Sequence, residues 1–254
     1  MKFLHVRHAT SLLTYAGSKL LIDPVFSAKE EFPAIALTPN QRKNPMIDLK
    51  TPIKELLDVD MILSTHSHQD HFDAKAKELL DKRVDLICQP SDEETYKADG
   101  FINLMPVEEN LKYKNIIITR VDAQHGSGQT KEQMGPSSGY ILSADDEPTI
   151  YFTGDTIFNE SIKKNIENYN PEILIMNAGS PKFLNSTQIV MNIMDIEKTL
   201  AINPKLKFII VHLDTFNHCI ETRVDINEYF SPQRLDKMGV KHFYVPEDNE
   251  LLEF

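Results

Sequence analysis

The 254-residue chain carries 38 Asp and Glu against 27 Lys and Arg, a net charge of −11 that disfavours nonspecific binding to nucleic acid. Hydrophobic residues at 41% can build a core and charged residues at 26% are ordinary for a globular protein, which argues against a disordered chain. No apolar run approaches the roughly 20 residues that span a bilayer.

The basic runs Gln41-Arg42-Lys43 and Lys112-Tyr113-Lys114 read as solvated loop charges. The two cysteines, Cys88 and Cys219, need not pair in a chain this long. The N-terminus meets His5, Arg7 and His8 before any secretory apolar run of about 7–15 residues could form. A cytoplasmic protein with a single domain over residues 1–254 is the expectation.

The chain opens with three β-like runs, Phe3 to His8, Leu12 to Ala16 and Lys19 to Ile22. Gly17-Ser18 supplies a hairpin turn between the last two, and Asp23-Pro24 ends the third. Residues 24 to 58 hold Pro24, Pro33, Pro39, Pro45 and Pro52 with little periodicity, which predicts a long loop flanking a functional site. Val59 to Thr65 reads as a buried strand and Asp73 as the N-cap of a helix over Ala74 to Lys82.

Beyond it, strands are predicted over Val84–Cys88, Asn115–Val121, Gly139–Ser143, Thr149–Thr153, Ile173–Met176, Phe208–Val211 and His242–Val245. Helices are predicted over Ser91–Ala98, Ser161–Asn168, Asn192–Ile202 and Ile226–Met238. No repeat, low-complexity tract or linker interrupts the alternation, so a single layered α/β domain is expected.

Between the strand Val59–Thr65 and the helix at Ala74 lies His66-Ser67-His68-Gln69-Asp70-His71. Three imidazoles and a carboxylate within six residues form an N/O-rich donor set that suits Zn²⁺ and accepts Mn²⁺ or Fe²⁺. Alternate side chains of an extended segment share a side, so His66 and His68 can grip one ion while Asp70 and His71 face another. Scattered surface histidines would not follow an apolar strand at this spacing.

One cluster cannot close two sites, and three other apolar strands end on a ligand-type residue. His125 follows the strand at Ile116, Asp155 lies in Thr153-Gly154-Asp155-Thr156, and His212 follows Phe208–Val211. Each alone is a weak signal, because a strand-end Asp is often a turn former. Cys88 lies within a strand pattern and reads as core.

Together these motifs resemble the metallo-β-lactamase fold superfamily, in the Zn-dependent hydrolase branch that includes the ascorbate-6-phosphate lactonase-like proteins. Arg7-His8-Ala9-Thr10, Leu20-Leu21-Ile22-Asp23-Pro24 and Ser137-Ser138-Gly139-Tyr140 add to the resemblance, which spans nearly the whole chain. It implies a four-layer αββα sandwich with the site at one edge of two sheets. It further implies that His66, His68 and His125 hold one metal ion, that Asp70, His71 and His212 hold a second, and that Asp155 bridges them.

Two such ions would clamp a shared hydroxide and stabilise the oxyanion of a hydrolysed ester, lactone or phosphoester, with Asp70 orienting the nucleophile. The resemblance also separates this chain from its redox and β-lactamase cousins. His68 stands where the di-iron oxidoreductases have Glu, and Asp155 stands where several β-lactamases have Cys. RNA-processing nucleases of the fold carry an inserted domain for which 254 residues leave no room.

A glyoxalase II-type thioesterase and a non-catalytic metal-binding protein on the same scaffold are the alternatives. His218 competes with His212 as a ligand, and His8 is read first as a packing residue with a site-lining role as the alternative. A small-molecule substrate is expected. Arg42 and Asn44 of the proline-rich loop, and Lys182 in Ala178-Gly179-Ser180-Pro181-Lys182, are the candidates for the pocket rim.

Overall fold

Strands that are apolar on both faces need cover on both faces, and this requirement orders the layers of the computed structural model, which describes residues 1–254. The first sheet contains β1 (Lys2–Arg7), β2 (Thr10–Tyr15), β3 (Ser18–Ile22), β4 (Met61–Leu63), β5 (Asp85–Cys88) and β6 (Leu104–Pro106). The second contains β7 (Asn110–Tyr113), β8 (Ile116–Ala123), β9 (Ser137–Ser143), β10 (Ile150–Phe152), β11 (Ile173–Asn177), β12 (Lys207–Val211) and β13 (His242–Tyr244). The C-terminal strand β14 (Glu250–Glu253) returns to pair antiparallel with β1.

The two seven-stranded sheets run β14-β1-β2-β3-β4-β5-β6 and β13-β12-β11-β10-β9-β8-β7. Each begins as an antiparallel meander and continues as parallel strands. This shared topology has no counterpart at the residue level.

The period of two in each strand assigns the faces. Leu20 and Ile22 of β3, Met61 and Leu63 of β4, and Ile173 and Ile175 of β11 pack between the sheets with Ile209 and Val211 of β12. Their neighbours Leu21 and Ile62 turn outward, beneath α1 (Ile53–Leu57), α2 (Ala74–Leu79) and α3 (Glu93–Ala98). On the other side Leu174, Met176, Phe208 and Ile210 pack beneath α5 (Glu160–Tyr169), α6 (Ile193–Ile202) and α7 (Arg223–Tyr229). The result is a single αββα sandwich. No helix is long and apolar enough to cross a membrane.

The structure departs from the sequence reading at several ends. The helix expected over Ile226–Met238 is two, α7 and α8 (Pro232–Met238), because Pro232 starts a new helix after Ser231 rather than continuing the old one. Helix α2 stops at Leu79, where Leu80 adopts an extended conformation and buries its side chain. Asp73 caps it as expected, accepting from Ala76 N at 2.7 Å. The proline-rich stretch is a loop except for α1, whose Leu56 is buried. Strands β6, β7 and β14 and helix α4 (Gly128–Met134) have no counterpart among the elements expected from the sequence. Cys88 is core, and burial pushes its thiol up to about 12.

Candidate metal centre

Strands from both sheets end at one edge of the sandwich and release their ligand-type residues there. β1 is followed by His8, β4 by His66 to His71, β8 by His125, β10 by Asp155 and β12 by His212. One donor atom from each of His66, His68 and His125 lies within 4.8 Å of the others, and the same holds for His8, Asp70, His71 and His212.

The buried Asp155 carboxylate sits between the two groups. Its Oδ2 is 3.3 Å from His71 Nε2, 3.6 Å from His125 Nε2 and 3.9 Å from His66 Nε2. Its Oδ1 is 3.6 Å from His212 Nε2 and accepts from Asn177 Nδ2 at 2.8 Å. Asp70 Oδ2 faces three imidazoles, at 3.3 Å from His218, 3.5 Å from His8 and 3.7 Å from His212. All seven residues singled out from the sequence therefore converge, and His8 and His218 join them.

The backbone that presents Asp155 is built for close approach. Gly154 has φ +61°, and a Cβ there would stand 2.2 Å from the Ser138 carbonyl oxygen, so only glycine lets this turn pass beside β9.

Several imidazoles are tethered from behind through Nδ1, which leaves Nε2 aimed into the site. His125 Nδ1 donates to the Ile189 carbonyl at 3.0 Å and His212 Nδ1 to the Ala178 carbonyl at 3.1 Å. His71 Nδ1 donates to Asp23 Oδ2 at 2.8 Å. Asp23 is itself fixed by Thr65, whose amide and hydroxyl donate to it at 2.8 and 2.7 Å. This carboxylate–imidazole pair is the arrangement that orients metal-binding histidines.

From the sequence Asp23 reads as a strand terminator and as part of the resembling Leu20–Pro24 segment, with no role in the site. Its position in Leu21-Ile22-Asp23-Pro24, at the edge where the ligands collect, was the available signal. Asp23→Ala is expected to weaken metal binding at the His71 side about 10–100-fold while leaving the protein folded, as read by metal titration and circular dichroism.

The electrostatics fit cations. Burial alone would raise both site carboxylates, yet His212 and His218 hold Asp70, and His212 and His71 hold Asp155, well below the usual range. Burial pushes His66 and His125 down, with His71 and His68 adding to the effect on His66. Against burial, Asp155 and Asp23 hold His71 up at about 10, and Asp155 holds His212 high. The site thus gathers ionised carboxylates among imidazoles, and Nε2 of His71 and of His212 is buried with no hydrogen-bond partner. Orphaned imidazole nitrogens beside carboxylates are the donor set of a first-row divalent metal ion.

A pocket of about 280 Å³ opens onto this cluster. Its apolar wall comes from Phe32, Pro33 and Ile35 of the proline-rich loop, with Phe183, Ile189 and Phe216, while Gln69, Asp70, His68 and His218 line its polar side. Neither rim cation expected from the sequence lines it. Arg42 is exposed and donates to the Met46 carbonyl at 3.2 Å, and the Lys182 amide is bonded to the His218 carbonyl. Asn44 is fully buried and anchors the loop, its Nδ2 donating to Asn217 Oδ1 at 2.7 Å.

Comparison with known proteins places this architecture. The model of the β-lactamase superfamily domain matches residues 18–213. The UPF0173 protein YddR of Bacillus subtilis is 31% identical over the full length of both chains. The crystal structure of an isothiocyanate hydrolase from Delia radicum gut bacteria superposes with a TM-score of 0.94 at 30% identity, covering 100% of this chain and 99% of that one. A possible metal-dependent hydrolase from Veillonella parvula gives a TM-score of 0.94 at 31% identity over 99% and 98% of the two chains. The chain belongs to the β-lactamase superfamily, in its UPF0173 group of metal-dependent hydrolases.

Proposed function

We propose that this chain is a two-metal hydrolase of small, neutral, apolar electrophiles, and that isothiocyanates are among its substrates. His66, His68 and His125 would hold one ion in this reading, Asp70, His71 and His212 would hold the other, and Asp155, between the two groups, would serve both. Bound there, two divalent ions, Zn²⁺ or else Mn²⁺ or Fe²⁺, would supply Lewis acidity and a shared hydroxide nucleophile at neutral pH. Asp70 would orient that nucleophile. His218 Nε2, 3.3 Å from Asp70 and lining the pocket, is placed to meet the substrate.

The observation that carries the substrate class is the pocket wall. No Lys or Arg lines the cavity, two carboxylates stand at its base, and half of its fourteen lining residues are hydrophobic. A phosphoester could reach the two ions through its oxygens but would find no side-chain cation on the wall for its remaining charge, whereas an uncharged substrate with an apolar substituent gains from burial against Phe32 and Phe216. Among the expected substrates this favours esters and lactones over phosphoesters.

An isothiocyanate, R–N=C=S, has the same character and presents an electrophilic carbon. Water adds across the C=N bond, and the resulting thiocarbamate loses carbonyl sulfide to leave the amine. The structural similarity to an isothiocyanate hydrolase supports placing this class first.

The test is a hydrolysis screen with Zn²⁺ and Mn²⁺ supplied separately, over aryl and alkyl isothiocyanates, lactones, thioesters and phosphodiesters, with bound metal measured by elemental analysis. Close to two equivalents of metal and fastest turnover of a neutral substrate are expected. Preference for phosphodiesters would overturn the substrate class, and full activity in metal-free protein would overturn the mechanism.

A further inference from the structure

We propose that His8 is a direct ligand of the second metal ion, an imidazole additional to the ligands assigned above. The inference rests on the two-metal reading and concerns this chain's first strand, which contributes nothing to the sites as assigned so far.

His8 follows β1 in a backbone conformation that a residue other than glycine adopts only at a cost, with φ 58°. The turn is fastened twice, because the His8 carbonyl accepts from the His212 amide at 2.9 Å and from His5 Nε2 at 3.0 Å. The fastened turn sends the ring inward. There it lies 3.7 Å, centroid to centroid, from the His212 ring and 4.7 Å from that of Phe216.

The ring is fully buried, yet neither of its nitrogens has a hydrogen-bond partner. A buried imidazole that serves only to pack keeps at least one hydrogen-bond partner, as His5, three residues earlier, does. His5 Nδ1 meets the Glu247 carbonyl at 3.2 Å and Nε2 meets the His8 carbonyl at 3.0 Å. A cation bound at one nitrogen of His8 would offset part of the cost of burying both unpaired.

Position agrees with this account. His8 Nε2 is 3.5 Å from Asp70 Oδ2, and donor atoms of His8, Asp70, His71 and His212 lie within 4.8 Å of one another. His218 is also near Asp70 but is not part of that set, and it lines the pocket that His8 does not reach. With Asp155 the second ion would be offered five side chains. That exceeds the four ligands of a closed Zn²⁺ site and suits an ion that accepts five or six N/O donors.

The test uses the full chain reconstituted with Co²⁺. Proton NMR of the wild-type protein should show one solvent-exchangeable, paramagnetically shifted ring N–H for each ligating histidine. The expected set is His8 in addition to His66, His68, His71, His125 and His212.

His8→Asn and His8→Gly keep a backbone that tolerates positive φ. Each should lose one such signal and raise the second ion's dissociation constant at least ~10-fold, with the first ion held as before. Wild-type protein with two ions and only five signals would overturn the assignment of His8 alone. Variants that bind both ions with unchanged affinity and spectrum would do the same. A wild-type protein that takes up only one ion would instead overturn the two-metal reading and His8 with it.

Discussion

On the proposed two-metal reading, Asp155→Ala is expected to strip metal from both halves of the site and to lower kcat/KM at least ~10³-fold, because both ions would lose a shared anionic ligand at once. No other carboxylate faces both groups. Its Oδ2 lies 3.3–3.9 Å from His71, His125 and His66, and its Oδ1 lies 3.6 Å from His212. Asp155→Asn separates charge from shape. It fills the same volume beside Asn177 but cannot neutralise two cations, so it should fall nearly as far as the alanine variant. Metal content by elemental analysis and turnover of the best substrate decide the matter. Retention of two equivalents of metal with activity within tenfold of wild type would show that Asp155 is a structural residue and that the ions, if bound, are held from elsewhere.

The parts of this site that are legible in the sequence are those that are local. His66, His68, Asp70 and His71 fall within six residues, so their convergence needs no knowledge of the fold. His125, Asp155 and His212 are legible as the residues at which apolar runs stop. The layers follow for the same reason, since runs such as Ile173–Met176 and Phe208–Val211 are apolar at every position and demand cover on both faces.

What is not legible depends on partners far away in the chain. Asp23 reads as a turn former until Thr65 and His71, more than forty positions later, fold onto its carboxylate. His8 reads as the end of a strand until His212 hydrogen-bonds to its carbonyl. The pocket wall at Phe32–Ile35 comes from a stretch without periodicity. Its conformation is set by the buried Asn217, whose side chain takes the Ile35 amide at 2.9 Å and donates to Thr38 Oγ1 at 2.6 Å. Such tertiary hydrogen bonds leave no pattern along the sequence. The same holds for β14, whose Glu-Leu-Leu-Glu becomes a strand only because β1 offers it an edge.

Arg7→Met is expected to destabilise the metal-free protein by about 3–5 kcal/mol, although Arg7 takes no part in the chemistry. Its side chain is fully buried, and its Nε has no hydrogen-bond partner. Its terminal nitrogens donate to backbone carbonyls of the proline-rich loop. Nη1 donates to Ile47 at 3.1 Å, and Nη2 donates to Val25 at 3.1 Å and to Ser27 at 2.9 Å. Those carbonyls belong to irregular backbone that has no sheet or helix to satisfy it, so the arginine stands in for secondary structure.

Burial pushes the guanidinium down to about 10, while Asp73, Asp248 and Asp48 act in the opposite direction, so it stays charged at neutral pH. Methionine preserves much of the stem's packing and removes every donor, leaving the buried carbonyls unpaired. Arg7→Lys keeps the charge but lacks the planar fork, so it should recover only part of the loss.

For a chain of this length the methionine variant should melt roughly 10 °C lower. Because the loop also supplies Phe32, Pro33 and Ile35 to the pocket, KM for an apolar substrate should rise while bound metal stays close to the wild-type level. Thermal melts of chelator-treated protein, paired with metal analysis of the untreated enzyme, separate the two effects. A melting temperature within about 2 °C of wild type would mean that the loop holds its shape without the arginine, and that the Asn44–Asn217 contact alone fixes the pocket wall.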